Sequence, residues 1–300
     1  MSHKNLPNFL IVGAPKAGTS SIAKYLDAHP EVFIPEIKEP RYFLHDIFSK
    51  VSTEDPLYDY LMKSSVLNWD DYLELYQGAD STVTKFGDAS VQYLYHFDTV
   101  IPQVKEKLGD VPIIIVLRDP IKRAFSNYKY QSKIDLLSFT EALNKEEERK
   151  SNHFNSFWYY KDVGLYYNQV NAYKKAFSNV HICLYDDLMK NPESFMMQIY
   201  TFLNIDHTHV NDYTKRHNET IVPKNKLFQY INYIRNQYGF SLSFLPEKYK
   251  TIIKNLFFKK NMEKISHDDR QVLVSFFKED IKKLEKLIDK DLSAWYKDLT

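Results

Sequence analysis

The stretch GAPKAGTS, residues 13–20, holds residue types suited to gripping an anion. Gly13 and Gly18 frame a loop with Lys16 inside it, and Thr19 and Ser20 follow as hydroxyls. A glycine loop running into a helix points several backbone N–H groups and the positive end of the helix at one anion. Lys16 adds a full charge. A second feature is Arg118, placed between the apolar run VPIIIVL (111–117) and Asp119-Pro120, with Ser126 further along the helix that those two residues begin. A guanidinium is the planar donor suited to a phosphate, and a strand end is an odd place for a structural arginine.

The loop departs from the ATP/GTP loop, G-x-x-x-x-G-K-[ST]. The glycine spacing agrees, but Thr19 stands where that loop has lysine, and Lys16 comes three residues earlier. The adjacent lysine–hydroxyl pair that organises Mg²⁺ is missing. The loop therefore suits a phosphate whose distal group is stabilised by Lys16 with no obligatory metal.

PKAGTS resembles the 5′-phosphosulfate loop of sulfotransferases that use 3′-phosphoadenosine 5′-phosphosulfate (PAPS), in which the pattern is P-K-x-G-T-[ST]. The resemblance implies that Lys16, Ala17, Gly18, Thr19 and Ser20 hold the donor. RDPIKRAFS (118–126) is similar to the same family's 3′-phosphate motif. It assigns Arg118 and Ser126 as phosphate ligands and matches Arg123 to the motif's helix arginine. KEPRYF (38–43) resembles K-E-x-x-[YF]-F, whose glutamate is the catalytic base in several members, and this implies that role for Glu39. GDASVQYLYH resembles G-E-x-S-x-x-Y-L, with Asp88 where glutamate is usual. Asp88 is a second acid/base group, an orienting group for Lys16, or a strand-end residue, and the sequence does not choose. A late basic loop, 215–228, corresponds to one that closes over the nucleotide, which implies contacts from Lys215, Arg216 and Lys224. YDDL with the following NP and FL, and the closing FKEDI with DLSAW, extend the likeness from residue 8 to about 297. It is weakest in the middle and over 205–265.

Elements must place these residues. Phe9–Val12 is an apolar strand, and Ile22, Tyr25, Leu26 and His29 mark one face of the helix that follows the loop. HPEVFIPEIKEPRYF (29–43), broken by three prolines, predicts an extended and irregular segment leading off the top of the sheet. On composition alone Lys38-Glu39 is a solvated loop. The carboxyl end of a parallel sheet is, however, where such loops carry active sites. Further strands are predicted over 84–90, 111–117 and 180–185, with a helix over 69–76. EALNKEEERK (141–150) reads as a solvated helix. SNHFNSFWYYKDVGLYY, rich in aromatics, is either part of an acceptor cleft or a packed surface loop. A final helix over 268–288 aligns Leu273, Phe277, Ile281, Leu284 and Ile288.

Four strands alternating with helices make an α/β fold with a central, mainly parallel sheet. It is a P-loop-like three-layer sandwich with a helical C-terminal extension. The chain is expected to be one domain over 1–300, with a core at 8–205 and the extension at 206–300. Right-handed crossovers bring the 13–20 loop and Arg118 to one edge.

With 44% hydrophobic residues the chain can bury a large core. A net charge of +1 argues against nucleic acid or an acidic membrane as partner. No apolar run reaches the ~20 residues of a membrane span. Cys183, the one cysteine, sits in VHICLY and excludes an intrachain disulfide. These features predict a soluble, cytoplasmic protein. The histidines show no H-x₃-H or H-E-x-x-H spacing, and no G-x-S-x-G elbow occurs. The function so implied is sulfuryl transfer from PAPS to a hydroxyl of a carbohydrate or other alcohol, leaving adenosine 3′,5′-bisphosphate, without a metal. Two other classes remain: a P-loop kinase or NTPase, and a non-catalytic nucleotide- or glycan-binding module. No motif sets the acceptor or the oligomeric state.

Overall fold

Five strands lie side by side in the order β2-β3-β1-β4-β5, every neighbouring pair parallel, in a computed structural model of the chain. The structure describes residues 5–37, 39–209, 212–213, 221–223, 258–260 and 264–297. The strands are β1 (Phe9–Gly13), β2 (Val32–Phe33), β3 (Lys85–Asp88), β4 (Ile113–Leu117) and β5 (Val180–Leu184). β1 and β4 are fully buried over their whole length, as continuous apolar strands covered on both faces should be.

The segment after His29, expected to be extended and irregular, contains one regular piece, β2. Val32 and Phe33 pair with Lys85 and Phe86, and the Phe33 and Phe86 rings lie 6.2 Å apart. Two residues between prolines are too few to show a period, so only their pairing partner marks them as strand.

The chain passes from β1 outward to β2 and β3, then crosses to β4 and β5 on the other side. Such a reversal opens a crevice outside the carboxyl ends of the central strands. The segments leaving β1 and β4 therefore emerge side by side.

Helices cover the sheet: α1 (Thr19–Asp27), α2 (His45–Phe48), α3 (Tyr58–Ser64), α4 (Trp69–Glu74), α5 (Phe97–Lys107) and α6 (Pro120–Gln131). α7 (Phe139–Asn144), α8 (Glu146–Ser151), α9 (Tyr166–Ala176), α10 (Tyr185–Lys190) and α11 (Pro192–Leu203) follow, and α12 (His267–Ile288) packs on α9. α12 buries Leu273, Phe277, Ile281 and Leu284 of the stripe its spacing predicts, and Ile288 at its end is part-buried. A short antiparallel pair joins β6 (Ile221–Pro223) to β7 (Phe258–Lys260).

α6 begins at Asp119, whose Oδ1 accepts from the N–H groups of Ile121 and Lys122, with Pro120 at the first helical position. The charged run at 141–150 is not wholly solvated. It splits into α7 and α8, and Glu146 is fully buried, accepting from the N–H groups of Lys161 and Asp162 at 2.7 and 2.8 Å. Those two bonds give a buried carboxylate its compensation and staple the aromatic 156–164 segment to the helices. Within that segment Trp158 and Tyr160 are core residues, while Phe157 and Tyr159 stay part-exposed. Among the described residues no helix is long and apolar enough to cross a membrane.

Candidate active site

The loop after β1 is shaped by close contacts. A Cβ on Gly13 would stand 2.6 Å from the Leu94 Cβ and 2.8 Å from the Val91 carbonyl oxygen, so no larger residue fits. The Ala14 N–H donates to the Val116 carbonyl at 2.7 Å, tying the loop to β4. Lys16 has φ 68° and Gly18 φ 83°, both left-handed. Gly18 is the N-cap of α1 and brings no capping side chain. The N–H groups of Ser21 and Ile22 bond back to the Gly18 carbonyl at 2.9 and 3.2 Å, whereas those of Thr19 and Ser20 receive no side-chain cap. Ala17 and Thr19 are buried beneath them, with Ser20 half-buried at the surface.

Arg118 closes this loop from β4. Its Nη1 donates to the Lys16 carbonyl at 2.8 Å, and its guanidinium lies 4.6 Å from the Tyr185 ring centre. The same Tyr185 ring, with Leu188, fills the space where a Gly18 side chain would go. The Arg118 Nε is buried with no hydrogen-bond partner among the described residues. The Lys16 Nζ sits 4.2 Å over the ring of Tyr130, on α6. Ser126 is half-buried on the same helix, and among the described residues no hydrogen bond joins it to Arg118. Arg123 points elsewhere: it is fully buried and donates through Nη2 to the Tyr160 carbonyl, clamping the aromatic segment. Burial pushes its pKa down.

The second half of the site is the segment before α2. Glu39 is mostly buried, with 18% of its side chain exposed, and its Oε2 accepts from the Arg41 Nη2 at 2.9 Å. Arg41 is left-handed at φ 57° and 4% exposed. Its Nη1 donates to Ser64 Oγ at 3.0 Å and Ser65 Oγ at 3.5 Å, and its backbone N–H donates to Ser90 Oγ at 3.0 Å. Ser90 in turn donates to Asp88 Oδ1 at 2.6 Å.

Asp88 stands at the end of β3, fully buried. Its Oδ2 accepts from the hydroxyls of Tyr72 and Tyr93 at 2.8 and 2.9 Å. Burial pushes its pKa up to about 6, against the pull of the three hydroxyl donors, and the charge of Glu39 adds to the rise. Both oxygens are thus engaged by protein hydroxyls, and Lys16 is not among those donors.

Glu39 and Lys16 both lie near Tyr130. The Tyr130 hydroxyl, beside which Lys16 rests, has its pKa raised by burial first, then by the nearby Tyr60 and Glu39. Tyr60 is 51% exposed and Tyr130 48% exposed, so two aromatic faces border the carboxylate and the ammonium. Arg41, Tyr60 and Tyr130 carry no motif signal in the sequence, and Tyr185, the tyrosine of YDDL, carries none that points to the site. Only the packing of α3, α6 and α10 against the two loops reveals them. Lys38, Lys215, Arg216 and Lys224 lie outside the described residues.

Comparison with known proteins gives four findings. A family model described as sulfotransferase domain matches residues 6–285. Carbohydrate sulfotransferase 15 of Homo sapiens is 28% identical over 152 residues, covering 42% of this chain and 27% of that protein. The membrane-associated sulfotransferase kil1 of Dictyostelium discoideum is 20% identical over 293 residues, covering 70% of this chain and 59% of that protein. The chain thus matches between about a quarter and three-fifths of the length of these relatives. Among solved structures, that of a sulfotransferase from Alicyclobacillus acidocaldarius superposes with a TM-score of 0.76 at 29% identity, over 98% of this chain and 100% of the other.

Proposed function

The chain belongs to the sulfotransferase domain family, and from that premise we propose that it moves the sulfuryl group of PAPS to an acceptor hydroxyl. One observation carries the reading. The Arg118–Lys16 bond joins the ends of β4 and β1 directly beside the uncapped start of α1. That corner offers amide donors, a lysine and a guanidinium with an orphaned Nε, the donor set a nucleotide with two separate phosphate positions requires.

In this reading Lys16, Ala17, Gly18, Thr19 and Ser20 hold the 5′ end of the donor, and Arg118 with Ser126 holds its 3′-phosphate. The donor supplies a sulfuryl group on a phosphate leaving group. Lys16 and the α1 amides stabilise the charge that gathers on that phosphate as the bond to sulfur breaks. The contact of Lys16 with Tyr130 does not oppose this. A cation–π contact at an exposed ring is worth only ~0.5–1 kcal/mol and is readily exchanged for a phosphate. Glu39, across the cleft, takes the proton of the attacking hydroxyl. Asp88, sealed among hydroxyls, supports the segment that carries Glu39.

A carbohydrate acceptor is supported by the names of the curated relatives and by the half-exposed faces of Tyr60 and Tyr130 beside Glu39. Independence of metal is supported by the loop chemistry, in which Thr19 replaces the lysine of the Mg²⁺-organising pair. A cytoplasmic, reducing setting belongs to the same proposal, supported by the single buried thiol of Cys183.

The experiment follows sulfuryl transfer from labelled PAPS to a panel of glycans and simple alcohols. Glu39→Gln keeps the shape and an acceptor for Arg41, so turnover should fall ~10²–10⁴-fold while affinity for adenosine 3′,5′-bisphosphate holds. Asp88→Asn is the control. Loss of turnover in Asp88→Asn with Glu39→Gln intact would overturn the assignment of the base.

A further inference from the structure

Arg41 is a costly residue in its position. A guanidinium taken out of water must be compensated by an opposite charge and by acceptors for its fork. The chain supplies the charge and acceptors for both Nη atoms around one side chain, while the Nε has no partner among the described residues. Ser64 and Ser65 at the end of α3 accept from Nη1, and Glu39 accepts from Nη2 at 2.9 Å. The guanidinium carbon lies 5.6 Å from the Tyr60 ring centre and 5.9 Å from that of Phe157. The backbone of Arg41 is held as firmly. Its left-handed φ of 57° is one that L side chains rarely adopt, and its N–H is fixed by Ser90, whose own hydroxyl is committed to Asp88. An unbroken line of bonds thus runs from the end of β3 through Asp88, Ser90 and Arg41 to the Glu39 carboxylate.

We propose that Arg41 is the positioning residue of this reaction, aiming and keeping ionised the carboxylate that takes the acceptor's proton, with Asp88 and Ser90 as its foundation. This rests on Glu39 being the base. Oε2 is held by Arg41, which sets the orientation of the whole carboxylate within the cleft. Among the described residues, the charged and titratable groups around Glu39 include Arg41 on its own segment, Asp88 on β3, Tyr60 on α3, and Tyr130 on α6 with Lys16 above its ring. Arg41 touches Glu39 directly, and removing it leaves the like charge of Asp88 in place. The proton affinity of Glu39 then rises.

The test is a mutant cycle read on breakdown of PAPS with water as acceptor. The water oxygen bonds to sulfur, the sulfur–oxygen bond to the phosphate breaks, and the water proton passes to Glu39. Arg41→Ala should slow this ~10–100-fold, a part of what a misaimed base forfeits, with affinity for adenosine 3′,5′-bisphosphate within about twofold. The acidic limb of its pH profile should move to higher pH, and added guanidinium ion should restore part of the rate. The pair Arg41→Ala/Glu39→Gln should be no slower than Glu39→Gln alone. Arg41→Lys keeps the charge and loses the fork, and it carries the test if Arg41→Ala fails to fold. Its turnover should fall with nucleotide affinity intact. The proposal is overturned if the folded Arg41 variants turn over as the wild type does, or if the losses multiply in the double variant, since Arg41 would then act apart from Glu39. Wild-type turnover in Glu39→Gln would instead show that the base reading had failed, and the role of Arg41 would fall with it.

Discussion

At the scale of single residues, Arg118 has two tasks that a substitution can separate. Its Nη1 braces the Lys16 carbonyl, while its Nε has no partner among the described residues. Arg118→Ala should weaken every nucleotide somewhat, through the loosened loop. It should cost a 3′-phosphorylated nucleotide roughly 1.5–3 kcal/mol more, the value of a charge-assisted bond. Calorimetric titration with adenosine 3′,5′-bisphosphate and with adenosine 5′-monophosphate reads the difference. Equal weakening of both would leave Arg118 only the brace. Lys16 and Arg118 were legible in the sequence because the chemistry of each is set by immediate neighbours, a glycine loop in one case and an Asp-Pro helix start in the other. Arg41 was not. Its meaning lies in Ser64 and Ser65, which bear no motif, and in Ser90, whose motif stands far along the chain and does not point to Arg41.

Elements set how exactly those residues can be held. The start of α1 depends on Gly18, whose φ of 83° and nearness to Tyr185 exclude a side chain: a Cβ would stand 2.9 Å from the ring. Gly18→Ala should cost roughly 1–2 kcal/mol from the left-handed backbone alone. Displacing Tyr185 should also disturb the ring on which Arg118 rests. A lower thermal midpoint together with weaker nucleotide binding checks this, and a lower midpoint with unchanged binding would dissociate the two. The central strands could be recognised from their unbroken apolar runs. β2 could not, since two residues carry no period and only the register with β3 makes them a strand. Nor could the burial of Glu146. Charge runs ordinarily face water, and only the two backbone N–H groups waiting at Lys161 and Asp162 draw this one inward.

For the molecule as a whole, two titratable groups pull stability in opposite directions over one pH range. Burial holds the Asp88 carboxyl at about 6, above its ordinary 3.8, and desolvation holds the part-buried His96 at about 4, below its ordinary 6.5. The Asp88 contribution is fully present below 3.8 and is lost as pH rises through about 6. The His96 contribution is present above 6.5 and is lost as pH falls toward about 4. Asp88→Asn removes one side of this balance. Relative to the wild type, the variant should gain up to roughly 1.4 kcal/mol per pH unit on raising the pH from about 4 to 6. Urea unfolding at several pH values measures that difference, and parallel curves for the two proteins would show that Asp88 does not titrate there. The strand order was only half legible. Right-handed crossovers place β1 beside β4, but the position of β2 at the far edge follows from a pairing that no pattern announces.

The bond from Arg118 to the Lys16 carbonyl closes the two central strand ends onto each other with protein atoms alone. A nucleotide of the proposed kind therefore meets walls already set at their working separation. Little of its binding energy is diverted into ordering the loop. Capture becomes a question of encounter, and the lifetime of the complex becomes the quantity that changes at this corner of the sheet can tune.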